Sequence, residues 1–292
     1  MAKVAVVGVG AIGSVIAALL QQGGHRVVLC ARRPQAGLVV ESPAGDVAVQ
    51  AEVVTDAAAA PAVDWVLVAT KAYDVAGAAQ WLPGLCAQGA AVAVLQNGVE
   101  HRERFAPYLP VERILPVMVD CPVERQSATR VRQRGVMQLR VPQGALGNAF
   151  TQLFAGSPAD AAEVPDFTSV VWRKLCFNSA GVLSALLLQP AGVVRGEALG
   201  EVALGIIEEC AAVARAEGAV LEDDIAQVIL QAQRAAPADG VNSMLADRRA
   251  GRPMELDARN GVIVRLGRKH SIATPRNAMA IALMEALTAP AS

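Results

Sequence analysis

A doubly wound α/β domain followed by an all-α C-terminal domain is the architecture this sequence predicts. Three observations carry it. The chain opens on an apolar run that flows into a glycine-rich turn. Short apolar runs then alternate with helical or loop segments to about residue 165, as in a parallel sheet covered by crossovers. Beyond that point helical spacing replaces the strand-like runs.

Lys3–Val7 is apolar after its lysine, as a strand buried on both faces requires. It leads into Gly8-Val9-Gly10-Ala11-Ile12-Gly13, a G-x-G-x-x-G order. Gly8 suits a tight turn with backbone angles other residues avoid. Gly10 has no side chain to hold a pyrophosphate away, and Gly13 lets the next helix pack close to the strand. That helix, over 12–22, points unpaired N–H groups and its positive dipole end at an anion. A second strand follows at Arg26–Cys30, and further ones are expected at 65–69, 91–95, 114–119 and 136–141. Segment 155–166 contains Gly156, Pro158 and Pro165 and reads as a connector. Helical spacing covers 169–188, 196–217, 223–236, 256–266 and 275–287, with Pro190, Pro237, Pro253 and Pro275 at or near boundaries. The expected domains are therefore a Rossmann-type dinucleotide-binding domain, 1–165, and a helical substrate domain, 166–292.

The second strand bears on which dinucleotide. NAD-binding versions carry Asp or Glu about twenty residues on, bonding the ribose 2′-hydroxyl. This chain has no acidic residue before Glu41, and the strand runs into Cys30-Ala31-Arg32-Arg33. A guanidinium there can grip a 2′-phosphate with paired, charge-assisted hydrogen bonds. The expectation is NADP(H), with Arg32 as the contact; a solvated surface pair is the competing reading of Arg32 and Arg33.

Composition excludes several classes. Hydrophobic content of 53% against 18% charged leaves material for a core and argues against disorder. A net charge of -1 offers no attraction for nucleic acid or an anionic membrane, and 3% aromatics leave few stacking platforms for bases. No uninterrupted apolar stretch is expected to span a bilayer, and the N-terminus passes directly into a strand without a signal-peptide pattern. Cys30, Cys86, Cys121, Cys176 and Cys210 lack C-x-x-C spacing, so neither a disulfide framework nor a zinc site is expected, and the reducing cytoplasm is.

Ligands in open α/β sheets gather beyond the carboxyl ends of strands. Thr70-Lys71 follows one expected strand and Gln96-Asn97-Gly98 another. Lys71 can meet phosphates or a substrate's charge, and Asn97 the ribose or the substrate; a loop lysine and an Asn-Gly turn are the plain alternatives. In the helical half, Lys174 and Asn178 stand four apart on one helix face among Val170, Val171, Leu175, Phe177 and Leu183. A largely buried lysine is costly unless paired or functional, which makes Lys174 a candidate proton donor, against a snorkelling side chain. The polar stretch 242–257 offers Ser243 as a donor to an anion. It also offers Glu255, near a helix start, as a catalytic carboxylate or a dipole partner.

Together these residues resemble the ketopantoate reductase family, the 2-dehydropantoate 2-reductases, over nearly the whole chain. The resemblance rests on Gly8–Gly13, Arg32, Thr70-Lys71, Gln96-Asn97-Gly98, Trp172-Arg173-Lys174 with Asn178, Ser243, and Glu255-Leu256-Asp257. It implies NADPH-dependent reduction of a 2-oxo acid in a cleft between domains, with Lys174 as general acid and Arg32 on the 2′-phosphate. Lys71, Asn97 and Glu255 would line the cofactor and reaction centre, Asn178 and Ser243 would hold the substrate, and Cys121 loosely matches a cofactor backbone contact. The partner is then a small-molecule 2-oxo acid, with a homodimer left open. One departure stands out: the family's second and third asparagines read Val182 and Gly192. Ketopantoate remains the named substrate, with another 2-oxo acid of less polar character, or a non-catalytic NADP(H) sensor, as alternatives.

Overall fold

The computed structural model describes residues 1–35 and 37–289. The chain divides into two compact units, Met1–Gln96 with Glu100–Phe167, and Asn97–Val99 with Thr168–Ser292.

Strands of the first unit are, in chain order, β1 (Lys3–Val7), β2 (Arg26–Cys30), β3 (Val39–Ser42), β4 (Gly45–Ala48), β5 (Glu52–Val54), β6 (Trp65–Val68) and β7 (Ala91–Val94). They continue as β8 (Ile114–Pro116), β9 (Met118–Asp120), β10 (Val123–Arg125), β11 (Arg130–Gln133), β12 (Gln138–Pro142) and β13 (Asp160–Val164). A six-stranded sheet has the order β5-β2-β1-β6-β7-β8, and all its pairings are parallel. The direction of strand addition reverses between β1 and β6, the place where such sheets bind ligands. Period-two alternation builds two cores. Val4, Val6 and Leu67 meet Val15, Ile16, Leu19 and Leu20 of the helix Ala11–Gln22 on one face. Ala5, Val7, Val66 and Val68 meet Trp81, Leu82, Leu85 and Phe105 on the other.

Three expectations change. The strand expected over 114–119 is broken in two. β8 is an edge strand, where Pro116 costs the ladder no donor. Val117 N still donates to Val94 O at 3.0 Å, and β9 then leaves to pair antiparallel with β12. The connector expected over 155–166 contains β13, which runs parallel to β12 from Asp160 to Val164. A separate four-stranded sheet, β10-β11-β3-β4, was not expected; β4 reads Gly-Asp-Val-Ala and is mostly exposed, so it carries no apolar signal.

The helical region contains Phe167–Ser179, Gly181–Leu187, Glu197–Ala216, Ile225–Ala235, Ser243–Arg249, Val262–Lys269 and Pro275–Thr288. Ser243–Arg249 was not among the expected helices; Asn242 Oδ1 starts it by accepting Leu245 N at 2.9 Å. Ahead of Val262 the helix is wound in π geometry over Asp257–Gly261, a local widening that recurs at functional sites. A buried polar knot joins the π turn to three of these helices. Glu209 Oε2 accepts Asn277 N at 2.9 Å and Nδ2 at 2.7 Å. Asn277 Oδ1 accepts Asn260 Nδ2 at 2.9 Å, and the same Nδ2 reaches Ser179 O at 3.1 Å. In surroundings this dry, such bonds fix one arrangement because breaking any leaves an unpaired polar group.

One segment approaches the length of a membrane span, although Arg173 and Lys174 interrupt its apolar run. Phe167–Leu187 is long and apolar enough by composition to cross a membrane. It is interrupted at Ala180, and 56% of its apolar window is buried inside the protein, as a core helix requires.

Candidate functional site

The glycine loop has the geometry its sequence implied. Gly8 sits at φ +98°, and a Cβ there would lie 2.7 Å from Thr70 N. Gly8 N donates to Cys30 O at 3.1 Å, tying the loop to β2. A Cβ on Gly13 would lie 2.0 Å from Gly8 O, so helix and loop touch backbone to backbone. On Gly10 a Cβ would meet nothing within 4 Å, so that side of the loop is open. Val9, Ala11 and Ile12 are partly buried and pack against the core. No side chain caps the helix N-terminus and its first turn holds no acid. This arrangement fits a pyrophosphate.

Arg125 was not singled out from the sequence. From β10 it donates to Val9 O and, at 3.2 Å, to Ser14 Oγ, so a guanidinium braces the loop from a residue 116 positions away.

Arg32 stands just past β2 with its side chain 89% exposed, and its Nη1 lies 3.9 Å from Asp74 Oδ2. A long, solvated ion pair holds a guanidinium weakly, which leaves Arg32 able to turn to a phosphate. Past β6 and β7, Gln96 Nε2 donates to Thr70 Oγ1 at 2.9 Å and to Lys71 O at 3.2 Å. The two strand ends are thereby locked together with Lys71 half-buried. His101 Nε2 lies 2.8 Å from Gln96 O; a carbonyl only accepts, so this nitrogen carries the neutral ring's proton. Burial brings the His101 pKa down to about 4. Cys121 follows β9, which lies in the separate sheet β13-β12-β9 and not in the parallel one. It is half-buried, with Sγ 3.6 Å from Gly135 O.

In the second unit Asn97 Nδ2 donates to Glu255 Oε2 at 2.9 Å, and Glu255 is buried. Gly98 adopts φ +108°, and a Cβ there would come within 2.9 Å of Ala258 O. Only glycine lets this turn close on the 255–258 segment. Lys174 and Asn178 are both half-buried, one turn apart on the helix Phe167–Ser179. That helix is less buried than expected: Phe177 is 42% exposed, and exposed Arg173 pairs with Glu222. Ser243 is the first residue of its helix and is exposed.

A further residue missed in the sequence links these groups. Arg259, from the π-helical turn, donates through Nη2 to Asn178 O and through Nη1 to Ser243 Oγ at 3.4 Å. No sequence signal marked it, because an arginine in a helical pattern reads as a solvated side chain. Val182 is fully buried in the core, and a Cβ on Gly192 would lie 2.9 Å from the Ala238 Cβ.

Comparison with known proteins places the whole chain. The sequence model of Ketopantoate reductase PanE/ApbA matches residues 4–145, and that of the Ketopantoate reductase PanE/ApbA C terminal matches 166–288. A 2-dehydropantoate 2-reductase of Caulobacter vibrioides is 46% identical, covering 98% of this chain and 99% of the relative. One from Mycobacterium tuberculosis is 40% identical over 97% of both. The crystal structure of a PanE/ApbA family ketopantoate reductase from Ralstonia eutropha superposes with a TM-score of 0.89 at 33% identity, covering 98% of each chain. The glycine loop at the sheet's reversal, the helical region behind it in sequence and these matches agree: the chain belongs to the ketopantoate reductase PanE/ApbA family.

Proposed function

We propose that this protein reduces ketopantoate (2-dehydropantoate) to pantoate with NADPH. The bond from Asn97 Nδ2 to Glu255 Oε2 carries the reading: two candidate residues 158 positions apart meet at 2.9 Å. NADPH, when bound, supplies the hydride that reduces the 2-oxo carbon. Residues 1–165 serve the nucleotide: the Gly8–Gly13 backbone takes the pyrophosphate, and Arg32 the 2′-phosphate, with Lys71 and Cys121 as further contacts. Residues 166–292, with Asn97, serve the substrate. The Lys174 ammonium donates a proton to the developing alkoxide and stabilises its charge. Asn97 and Glu255 order the reaction centre, while Asn178 and Ser243 orient the substrate.

The test is loss of reduced-nicotinamide absorbance on adding ketopantoate, beside a panel of other 2-oxo acids. Ketopantoate is expected to be the preferred substrate. Preference for a less polar acid would transfer the same chemistry to that compound. Tight NADPH binding with no turnover on any of them would overturn the proposal in favour of an NADP(H) sensor.

The cofactor choice has its own test. Arg32→Ala is expected to weaken NADPH by about tenfold to a hundredfold, the weight of a hydrogen bond to a charged group, while NADH binding stays level. Dissociation constants for both cofactors in both proteins decide it, and equal weakening would remove Arg32 from the 2′-phosphate.

A further inference from the structure

We propose that Arg259 is a positioning residue that makes this site selective for carboxylate-bearing substrates. The inference rests on the reading of Asn178 and Ser243 as substrate contacts. Arginine is almost never buried without strong partners, yet Arg259 is only 2% exposed. Among the described residues its Nε has no hydrogen-bond partner. Its two other nitrogens go to the candidate substrate residues, Asn178 O and Ser243 Oγ. Burial lowers its pKa and the charges of Glu255 and Asp247 oppose that; an arginine nevertheless stays protonated.

Two consequences follow for a ligand. A serine hydroxyl has one proton to give, and a guanidinium can only donate. With Arg259 donating into Ser243 Oγ, the Ser243 O–H is free to point elsewhere, as a donor to an acceptor such as a carboxylate. The second consequence is charge. Glu255 and Asp247 offset part of the Arg259 cation, but it stands one bond behind the substrate contacts, nearer to a ligand held by Asn178 and Ser243, where it favours an anion over a neutral analogue. The local packing is made for it: a Cβ on Gly181 would lie 3.1 Å from Arg259 Nη2. Asn242 Nδ2 closes the other side on Gly181 O at 3.1 Å. Val182, next in sequence, is turned into the core, so a charge behind Ser243 takes up selection that neutral amides at 182 and 192 do not provide.

Steady-state kinetics on Arg259→Met and Arg259→Lys, using ketopantoate and its carboxylate-free lactone, test the idea. In Arg259→Met the kcat/KM for ketopantoate is expected to fall at least about thirtyfold, mainly through KM. Turnover of the lactone and the NADPH dissociation constant should stay within about threefold of wild type. Arg259→Lys should recover a large part of the loss, and it carries the test if the Met variant does not fold. A parallel loss on both substrates, or an unchanged KM for ketopantoate in a folded variant, would overturn the assignment while leaving the reductase reading in place. Absence of 2-oxo acid turnover in the wild type would overturn both.

Discussion

Lys174→Ala is expected to fold as the wild type does and to lose about 10²- to 10⁴-fold in kcat, the usual contribution of a positioned proton donor. Lys174 is half-buried and one helical turn from Asn178, while the residues packing the helix into the core are Val171, Trp172, Leu175 and Cys176. Truncating the lysine therefore opens no core cavity, and stability should move little. Circular dichroism and thermal melting on the same sample separate chemistry from folding. Near-wild-type kcat in a folded Lys174→Ala protein would take the residue out of proton transfer. A melted variant would instead mark Lys174 as a packing residue.

Gly13→Ala is expected to lose NADPH binding by at least about a hundredfold and to melt earlier. The added Cβ would stand 2.0 Å from Gly8 O. Gly8 cannot retreat freely, because it is packed so closely that a Cβ of its own would lie 2.7 Å from Thr70 N. Overpacking of this kind costs about 1–3 kcal/mol even where neighbours relax, and relaxation here displaces the helix N-terminus from the phosphate site. Gly10→Ala is the informative contrast, since its Cβ meets nothing within 4 Å. That variant should melt normally yet bind NADPH weakly, because only the ligand would feel the methyl group. Wild-type melting and affinity in Gly13→Ala would refute the close contact of helix and loop.

The parts of the fold legible in the sequence were those whose signal is local. β1 and β2 have the bounds expected of them because each is a buried run flanked by turn residues. β4 and β13 escaped notice since one is mostly exposed and the other sits among glycine and prolines. Their pairing comes from distant partners that no window reveals. The site divides the same way. Gly8, Gly10 and Gly13 announce themselves by spacing, and Lys174 with Asn178 by helical period. Arg125 and Arg259 do not, because what distinguishes them is where the chain brings them: onto Val9 O in one case and between Asn178 and Ser243 in the other.

Asn97, Gly98 and Val99 belong to the helical unit although Gln96 before them and Glu100 after them belong to the sheet-bearing one. Modular exchange of parts therefore has no single seam in this protein. A chimaera that took the helical region after Phe167 from a relative would keep the native Asn97-Gly98 turn. That turn would have to fit a foreign counterpart of Glu255, which Asn97 Nδ2 meets at 2.9 Å, and of Ala258, whose carbonyl leaves no room for a Cβ on Gly98. Successful recombination must carry three residues from the middle of the first region along with the second, because 97–99 and 255–258 are built against each other.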